Sequence, residues 1–297
     1  MGNRTLAFIA ALAATTIYGL NHTIAKGLMP IYIKPFGLIL VRVVGASILF
    51  WLISFWGPKE KIAVRDWKRM LACAVFGMGI NMLSFFTGLN LSTPVNSSII
   101  ITISPILVFI MSALIVKEKI TLIKYLGIAL GFTGALALIL FSNETRQDAP
   151  NIPLGNMLFI VNCITYGFYL IIVKPLTAKY HPFTIMKWLF LIGIVINFPI
   201  TISEFMEIKW ATLPFEAIWK LSFVIIATTF LTYLLNIFAL KELKASTLSI
   251  FIYLQPIIGI AYAIFSGVDT LNILKIITTL FIFVGVYLVT KKPKQKI

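Results

Sequence analysis

Long apolar runs constrain the fold of this chain more than any other feature. Each run is about 20 residues long, the length that a helix needs to cross about 30 Å of hydrocarbon. The runs are about twice the length of a barrel strand and do not alternate. They predict an all-α integral membrane protein with ten transmembrane helices, near 5–27, 35–56, 68–89, 93–116, 121–141, 154–175, 183–203, 218–240, 244–266 and 271–290.

The charges agree with this class and orient it. Only 12% of the residues are charged, against about 25% in soluble domains, which excludes a water-soluble globule. The net charge is +15, and 17 of the 25 Lys and Arg residues fall on the side that holds both termini, with six opposite and two inside spans. The positive-inside rule predicts cytoplasmic termini in a multi-pass protein of the inner (plasma) membrane. The excess of basic residues is explained by topology, so the lipid bilayer is the expected partner and nucleic acid is not.

The chain divides into two similar halves. At an offset of 151 residues, Pro105 falls on Pro256 and Gly134 on Gly285, and at an offset of 148, Tyr18 falls on Tyr166. We therefore predict a five-helix repeat at 1–141, a linker at 142–153, a second repeat at 154–290 and a basic cytoplasmic tail at 291–297. Since five is odd, the halves enter the membrane from opposite sides. Inverted repeats of this kind are typical of secondary transporters, although a channel is also compatible with them.

Motifs in both halves resemble a known family. "SPILVFIMSALIVKEKIT" (104–121), followed by a helix with Gly127, Gly131 and Gly134, is repeated in the second half with Pro256, Asp269 and Gly285. Together with "IYGLNHTIAKGL" (17–28), this pattern resembles the EamA family of the drug/metabolite transporter superfamily. The resemblance implies ten helices in two inverted five-helix repeats around a central cavity. It also implies transport of small molecules, with spans one, three, four, six, eight and nine around the path.

The motif residues have physical consequences. Pro105 and Pro256 each remove a backbone donor in mid-helix, so we predict kinks that line the path and serve as gate hinges; packing kinks are the alternative. Glu118 and Asp269 each precede a helix whose first turn they are expected to cap. The glycines allow helices to approach closely.

Charges at depth are the next candidates. Arg42 lies inside span two and Lys26 near the end of span one, and both are candidate cavity charges because a buried charge in a span usually has a function. No Asp or Glu lies inside any span. Paired carboxylates, a metal-ligand cluster and a P-loop are all missing from the sequence, so neither an enzyme nor a cofactor or metal is expected.

A polar and aromatic set in the path-lining spans is the predicted substrate surface. Its members are uncharged and suit a modest-sized, partly apolar metabolite, although they could instead form hydrogen bonds between helices. They are Tyr18, Asn21, Asn81, Phe85, Asn96, Asn162, Tyr166, Tyr169, Tyr233, Asn236, Tyr253 and Gln255.

The sequence thus predicts a secondary transporter that exports small metabolites, such as amino acids or amino-acid-like solutes, by alternating access. A lipid-linked flippase or a drug exporter is the alternative. A non-transporting sensor ranks last because the loops are short, the longest being 204–217. Whether the protein is a monomer or a homodimer stays open.

Overall fold

The computed structural model describes residues 3–116, 121–141, 147–243, 251 and 254–290, and in these ranges the chain is helical with no β-strand. Most helices are continuous, whereas α4 is interrupted and both α3 and α8 change their helical type along their length. The helices are α1 (Asn3–Lys26), α2 (Pro35–Ser54), α3 (Val64–Leu91), α4 (Pro94–Ile101 and Ser104–Val116), α5 (Leu122–Phe141), α6 (Ile152–Thr177), α7 (Pro182–Met206), α8 (Phe215–Ser222, Phe223–Leu231 and Thr232–Glu242), α9 (Leu254–Phe265) and α10 (Ile273–Thr290).

Seven of these helices are long and apolar enough to cross a membrane, namely α1, α2, α3, α4, α6, α7 and α8. In the others the described apolar stretch is shorter: Leu122–Ala137, Leu254–Phe265 and Ile273–Leu288. The all-helical membrane class is therefore confirmed, and the count of ten spans stays a prediction. Glu118 and Tyr253 lie outside the described residues.

Proline and a side-chain cap set the start of several helices. Thr93 Oγ1 accepts from Asn96 N (3.2 Å) before Pro94, and His181 Nδ1 accepts from Phe183 N (3.3 Å) before Pro182. Proline suits the first turn because it has no N–H to leave unpaired there, and a capping side chain satisfies a free N–H of that turn. These two X-Pro pairs fix where α4 and α7 begin.

Two helices contain a π-helical segment, at Val75–Ile80 in α3 and at Phe223–Leu231 in α8. The two segments begin 148 residues apart, the offset that also relates Tyr18 to Tyr166. Wider π-turns displace side chains from α-helical positions and are frequent at functional sites. In this chain the segment of α8 carries Thr229, whose hydroxyl contacts Arg42 of α2.

The helix of α4 breaks immediately before Pro105. Thr102 N and Ile103 N donate to the carbonyls of Ile99 (3.2 Å) and Ile100 (3.0 Å), so the chain narrows to a tight turn there. Because Pro105 lacks an N–H, it cannot donate to the Ile101 carbonyl one turn earlier. Pro256 is buried in α9. The gating role of both prolines stays a prediction.

Helices pack in matched pairs across the molecule, α2 against α7 and α5 against α10. The second pair is unusually close, since a Cβ atom on Gly285 would lie 2.6 Å from both Gly127 O and Gly131 N. Only glycine fits at that position. The glycines of α5 therefore form the contact surface for α10, as small residues do in membrane helix pairs.

Carboxylates tie α2 and α7 together at both ends of the bundle. Glu204, near the end of α7, accepts from Phe36 N (2.7 Å) and Gly37 N (3.2 Å) in the first turn of α2. At the opposite end, Glu60 in the loop after α2 accepts from His181 N (2.8 Å) at the start of α7. Each helix N-terminus, which carries partial positive charge, is thus capped from the other helix or its adjoining loop.

Loop charges reinforce both ends. Beside Glu204, Lys34 and Glu207 form an exposed ion pair at 2.5 Å, and hydrogen bonding to Glu207 raises the pKa of the Lys34 ammonium above its usual value. At the other end Asp66 binds Lys179 (3.0 Å) and Tyr180 Oη (2.9 Å). The loop predicted at 204–217 is shorter in the structure, since α7 continues to Met206.

Asp269 caps a different helix from the one expected. Its Oδ2 accepts from Val95 N (3.1 Å) in the first turn of α4, while its Oδ1 accepts from Thr270 N and from Lys275 Nζ (3.1 Å). Asn272 Oδ1 caps α10 instead, accepting from Lys275 N at 2.8 Å. Sequence proximity suggested a cap for the next helix, but tertiary packing brings the carboxylate to α4.

Candidate functional site

A buried cation lies between helices from both parts of the chain. Arg42 is the eighth residue of α2, about 10 Å along the helix at 1.5 Å per residue, and it is 6% exposed. Its Nε donates to Thr229 Oγ1 of α8 at 2.6 Å. Its guanidinium lies over the Phe86 ring of α3, 4.9 Å from the centroid, a favourable cation–π arrangement.

The π-helical segment of α8 positions this hydroxyl. Thr229 Oγ1 donates to Val224 O, five residues earlier, at 2.7 Å. With its single hydrogen used in that bond, the oxygen is left to accept from Arg42 Nε. Sequence reasoning missed Thr229, although it falls on Asn81 at the offset of 148 and that relation could have found it.

Two tyrosines lie near the guanidinium. Tyr18 and Tyr233 lie close enough to Arg42 to interact with it electrostatically, and Tyr166 lies within the same range of both phenols. Asn236 Nδ2 donates to Tyr18 Oη at 3.4 Å. The structure therefore brings five predicted site residues, on α1, α2, α6 and α8, into one group.

Two further aromatic residues adjoin this group. The Tyr169 ring is 6.1 Å from that of Tyr166, and Phe190 meets Tyr233 edge-on at 5.2 Å. Tyr169 also packs against the backbone of Gly77 in the π-helical segment of α3. The site thus has aromatic walls on the sides of α6 and α7.

Asn81 and Asn162 bind each other's helix. Asn81 Nδ2 donates to Asn162 O and Asn162 Nδ2 donates to Asn81 O, both at 3.0 Å. This reciprocal pair links α3 to α6 and uses donors that substrate binding would otherwise need. Interhelical hydrogen bonding is the alternative that the sequence left open for such residues.

A second polar cluster lies where α1, α3, α4 and α6 meet. His22 Nδ1 and Ser97 Oγ are hydrogen-bonded at 2.7 Å, and the Phe85 ring is 5.6 Å from the imidazole. Asn96 Nδ2 reaches Asn156 Oδ1 at 3.4 Å. Asn156 is fully buried, and the sequence offered no signal that singled it out from other span-end amides.

Within the described residues, two oxygens of the predicted set are buried without a hydrogen-bond partner, Asn21 Oδ1 and Asn96 Oδ1. Such groups cost free energy unless a ligand or water satisfies them. Asn21 lies three residues after Tyr18 and so on the same helix face. Gln255 is half-buried in α9. Its backbone carbonyl packs closely against α1, since a Cβ atom built on Gly19 would lie 3.0 Å from Gln255 O.

Lys26 lies elsewhere than the predicted cavity. Its Nζ donates to the carbonyls of Leu89 (2.8 Å), Asn90 (2.9 Å), Ser92 (2.9 Å) and Asp148 (2.5 Å). Three of these carbonyls lie at the C-terminus of α3, where the helix dipole favours a cation, and the fourth, Asp148 O, lies in the segment before α6. The expectation of a cavity charge is corrected here, because the ammonium binds the end of α3 to α1.

The described residues contain no group of three His, Cys, Asp or Glu side chains that could hold a metal ion. Their buried centre offers one guanidinium, phenols, amides and hydroxyls. This arrangement can bind and orient a small polar molecule inside a multi-pass helical membrane protein.

Comparison with known proteins places the chain in a family. A model of the EamA-like transporter family matches residues 5–140 and 153–291. The chain belongs to this family of membrane transporters.

Relatives and a solved structure agree with this placement. An uncharacterized transporter of Archaeoglobus fulgidus is 24% identical over 96% of this chain and 99% of its own. The uncharacterized transporter YetK of Bacillus subtilis is 23% identical over 97% and 88%. One solved structure, titled only as the crystal structure of a protein, matches with a TM-score of 0.64 at 13% identity over 96% of this chain and 97% of that one. That likeness concerns the fold alone.

Proposed function

We propose that this protein is a secondary transporter that exports small metabolites, of the amino-acid or amino-acid-like class, across the inner membrane by alternating access. The observation that carries the proposal is the buried group of Arg42, Tyr18 and Tyr233. It is built from α1 and α2 of the first repeat and α8 of the second, so a solute bound there contacts both halves. A site between halves is what alternating access requires.

Two inverted five-helix repeats, 1–141 and 154–290, form the moving parts in this proposal. The π-helical segments of α3 and α8 support the repeat, since they begin 148 residues apart. The caps at Glu204 and Glu60 support the inversion, because they perform the same task at opposite ends of the bundle.

The α2–α7 pair is the axis in this mechanism. Both of its ends are tied by carboxylate caps, whereas α4 and α8 contain a helix break and a π-turn that can absorb bending. The halves would rock about α2 and α7 while the other helices open and close the path. With both termini cytoplasmic, the end that holds Lys26 faces outward.

Counterflow in proteoliposomes tests the function. Vesicles loaded with a mixture of unlabelled amino acids should accumulate one or more labelled amino acids in a saturable manner, and Tyr166→Ala should abolish this accumulation. Tyr125→Ala is the matched control, since Tyr125 is exposed on α5 at 59% and should leave transport unchanged.

The outcomes separate the alternatives. Flux that rises linearly with concentration and never saturates would indicate a pore and refute the carrier mechanism. Movement of a labelled lipid-linked substrate between leaflets, without amino-acid counterflow, would indicate the flippase. An equal loss of transport in both tyrosine variants would show that the phenol of Tyr166 has no special role.

A further inference from the structure

Arg42 is a buried charge without a counter-ion among the residues that the structure describes. Within this part of the chain, it makes one hydrogen bond, to Thr229, and lies over the Phe86 ring. It otherwise interacts electrostatically with the phenols of Tyr18 and Tyr233. The terminal nitrogens Nη1 and Nη2, with four N–H groups between them, donate to no protein atom there. A charge held out of water costs several kcal/mol unless an opposite charge compensates it.

The acidic residues that the structure describes lie away from Arg42. Every described Asp and Glu lies in a loop or near a helix end, where it caps a helix or pairs with Lys or lies exposed. They are Glu60, Asp66, Asp148, Glu204, Glu207, Glu216, Glu242 and Asp269. No carboxylate of the described residues lies within ion-pair distance of the guanidinium.

We propose that Arg42 binds the anionic group of the transported solute, a carboxylate, through Nη1 and Nη2. This inference rests on the proposed transport function and names the chemistry of its substrate. The guanidinium is a planar fork whose paired N–H groups match the two oxygens of a carboxylate. Thr229 fixes the Nε edge and Phe86 covers one face, so the terminal edge stays available to the ligand.

The α7 side of the site is aromatic, which defines the rest of the substrate. At the repeat offsets of 147 and 148, the counterparts of Arg42 in α7 are Leu189 and Phe190, and the Phe190 ring contacts Tyr233. The site therefore has one cationic side and one aromatic side. It fits a small monocarboxylate with an apolar body better than a dicarboxylate or a cation.

A lone cation also affects how the empty carrier moves. When the carboxylate is bound, the guanidinium is compensated and the closed state is favoured. When the site is empty, closure leaves an uncompensated charge in a low-dielectric interior. The empty carrier should therefore reorient more slowly than the loaded one, and exchange should be faster than net export.

Binding can be measured without transport. The purified full chain in detergent is melted with L-leucine, L-phenylalanine or 4-methylpentanoate, each beside its own amide, which has the same body without the carboxylate. At least one carboxylate should raise the Tm of the wild type more than its amide does. Arg42→Gln should lose that difference, and Arg42→Lys should bind about tenfold more weakly, as expected for one lost charge-assisted hydrogen bond.

The ligand-free Tm distinguishes a binding role from a structural one. Arg42→Gln removes an uncompensated charge, so without ligand it should melt at or above the wild-type temperature. Lys187→Gln is the matched control: Lys187 lies over the Trp51 ring at 5.1 Å, away from this site, and its loss should leave the carboxylate-to-amide difference intact.

Three results would overturn the proposal. The first is the lack of any carboxylate-to-amide difference in the wild type, and the second is its retention in Arg42→Gln. The third is a large fall in the ligand-free Tm of Arg42→Gln, which would assign the residue a structural role. If Arg42→Gln does not fold, Arg42→Lys decides: a carboxylate-to-amide difference that needs about tenfold more ligand supports the proposal, and one at the wild-type ligand concentration overturns it.

Proteoliposomes then separate this inference from the proposed function. Saturable counterflow that Arg42→Gln leaves unchanged would refute the role of Arg42 and keep the transporter. An Arg42-dependent Tm shift without counterflow would keep the anion site and refute the transporter. Where both hold, an internal load of the same carboxylate should accelerate uptake of the labelled solute several-fold.

Discussion

Replacing Asp269 should destabilise the fold by removing the carboxylate that pairs with the buried Lys275. Lys275 and Asp269 side chains are 2% and 0% exposed, and Nζ lies 3.1 Å from Oδ1. Removing one partner of a buried ion pair costs about 3–5 kcal/mol. Asp269→Asn keeps the shape of the side chain but removes the charge, so it should show this loss in full.

The reverse change should cost less. In Lys275→Met the carboxylate still accepts from Val95 N and Thr270 N, and charge-assisted bonds of this kind are worth about 1.5–3 kcal/mol each. We expect roughly half the loss of Asp269→Asn. The double variant removes both charges and should be more stable than the sum of the two single effects by at least about 1 kcal/mol.

Thermal melting of the purified chain in detergent, followed by the fraction that stays monodisperse, measures these effects. About 2–4 °C per kcal/mol is typical at 150–250 residues, so Asp269→Asn should lower the Tm by on the order of 10 °C. Glu207→Gln, which breaks the half-exposed pair with Lys34, is the matched control and should leave the Tm unchanged. Additive effects in the double variant, or a loss no larger than that of the control, would refute the reasoning.

Other contacts give further tests by the same melting assay. Glu204→Gln weakens the cap on Phe36 N and Gly37 N and should cost about 1 kcal/mol; an unchanged Tm would show that the cap is dispensable. Gly285→Val places a side chain where a Cβ is already 2.6 Å from two backbone atoms, so the Tm should fall sharply or the chain fail to accumulate, whereas Gly285→Val at wild-type stability would contradict the close packing. Because Glu207 raises the pKa of Lys34 above 10.5, the ammonium stays charged below this pKa and is lost as pH rises through it, so Glu207→Gln should not alter how the Tm changes between pH 6 and 8.

The sequence predicted the helices and the family well, because both depend on long local patterns. Apolar runs are set by the thickness of the bilayer, and the motif around Pro105 is contiguous. The partners of individual polar residues were harder to predict. Asp269 caps α4 and Lys26 binds the end of α3, and both contacts join segments that are distant in the chain. The spacing of residues along the sequence does not show which distant segments come into contact.

In the candidate site, too, local sequence patterns were easier to predict than contacts between helices. Arg42, Tyr18 and Tyr233 were singled out because polar residues in a span need a reason to be there. Their grouping depends on how α1, α2 and α8 cross. Thr229 was not predicted, because a threonine in a membrane span is common. Its contact with Arg42 depends on the π-helical segment of α8.

The distribution of charge in the structure is the strongest link between its stability and its function. The caps, the Lys26 contacts and the Asp269–Lys275 pair all lie near the ends of the bundle, where each charge meets a helix terminus or an opposite charge. Arg42 alone among the described cations is buried in mid-bundle with unused donors and no acid. If selection acted on stability only, a neutral residue would serve better at this position. The guanidinium is therefore best explained by a ligand that arrives with the missing negative charge and leaves with it.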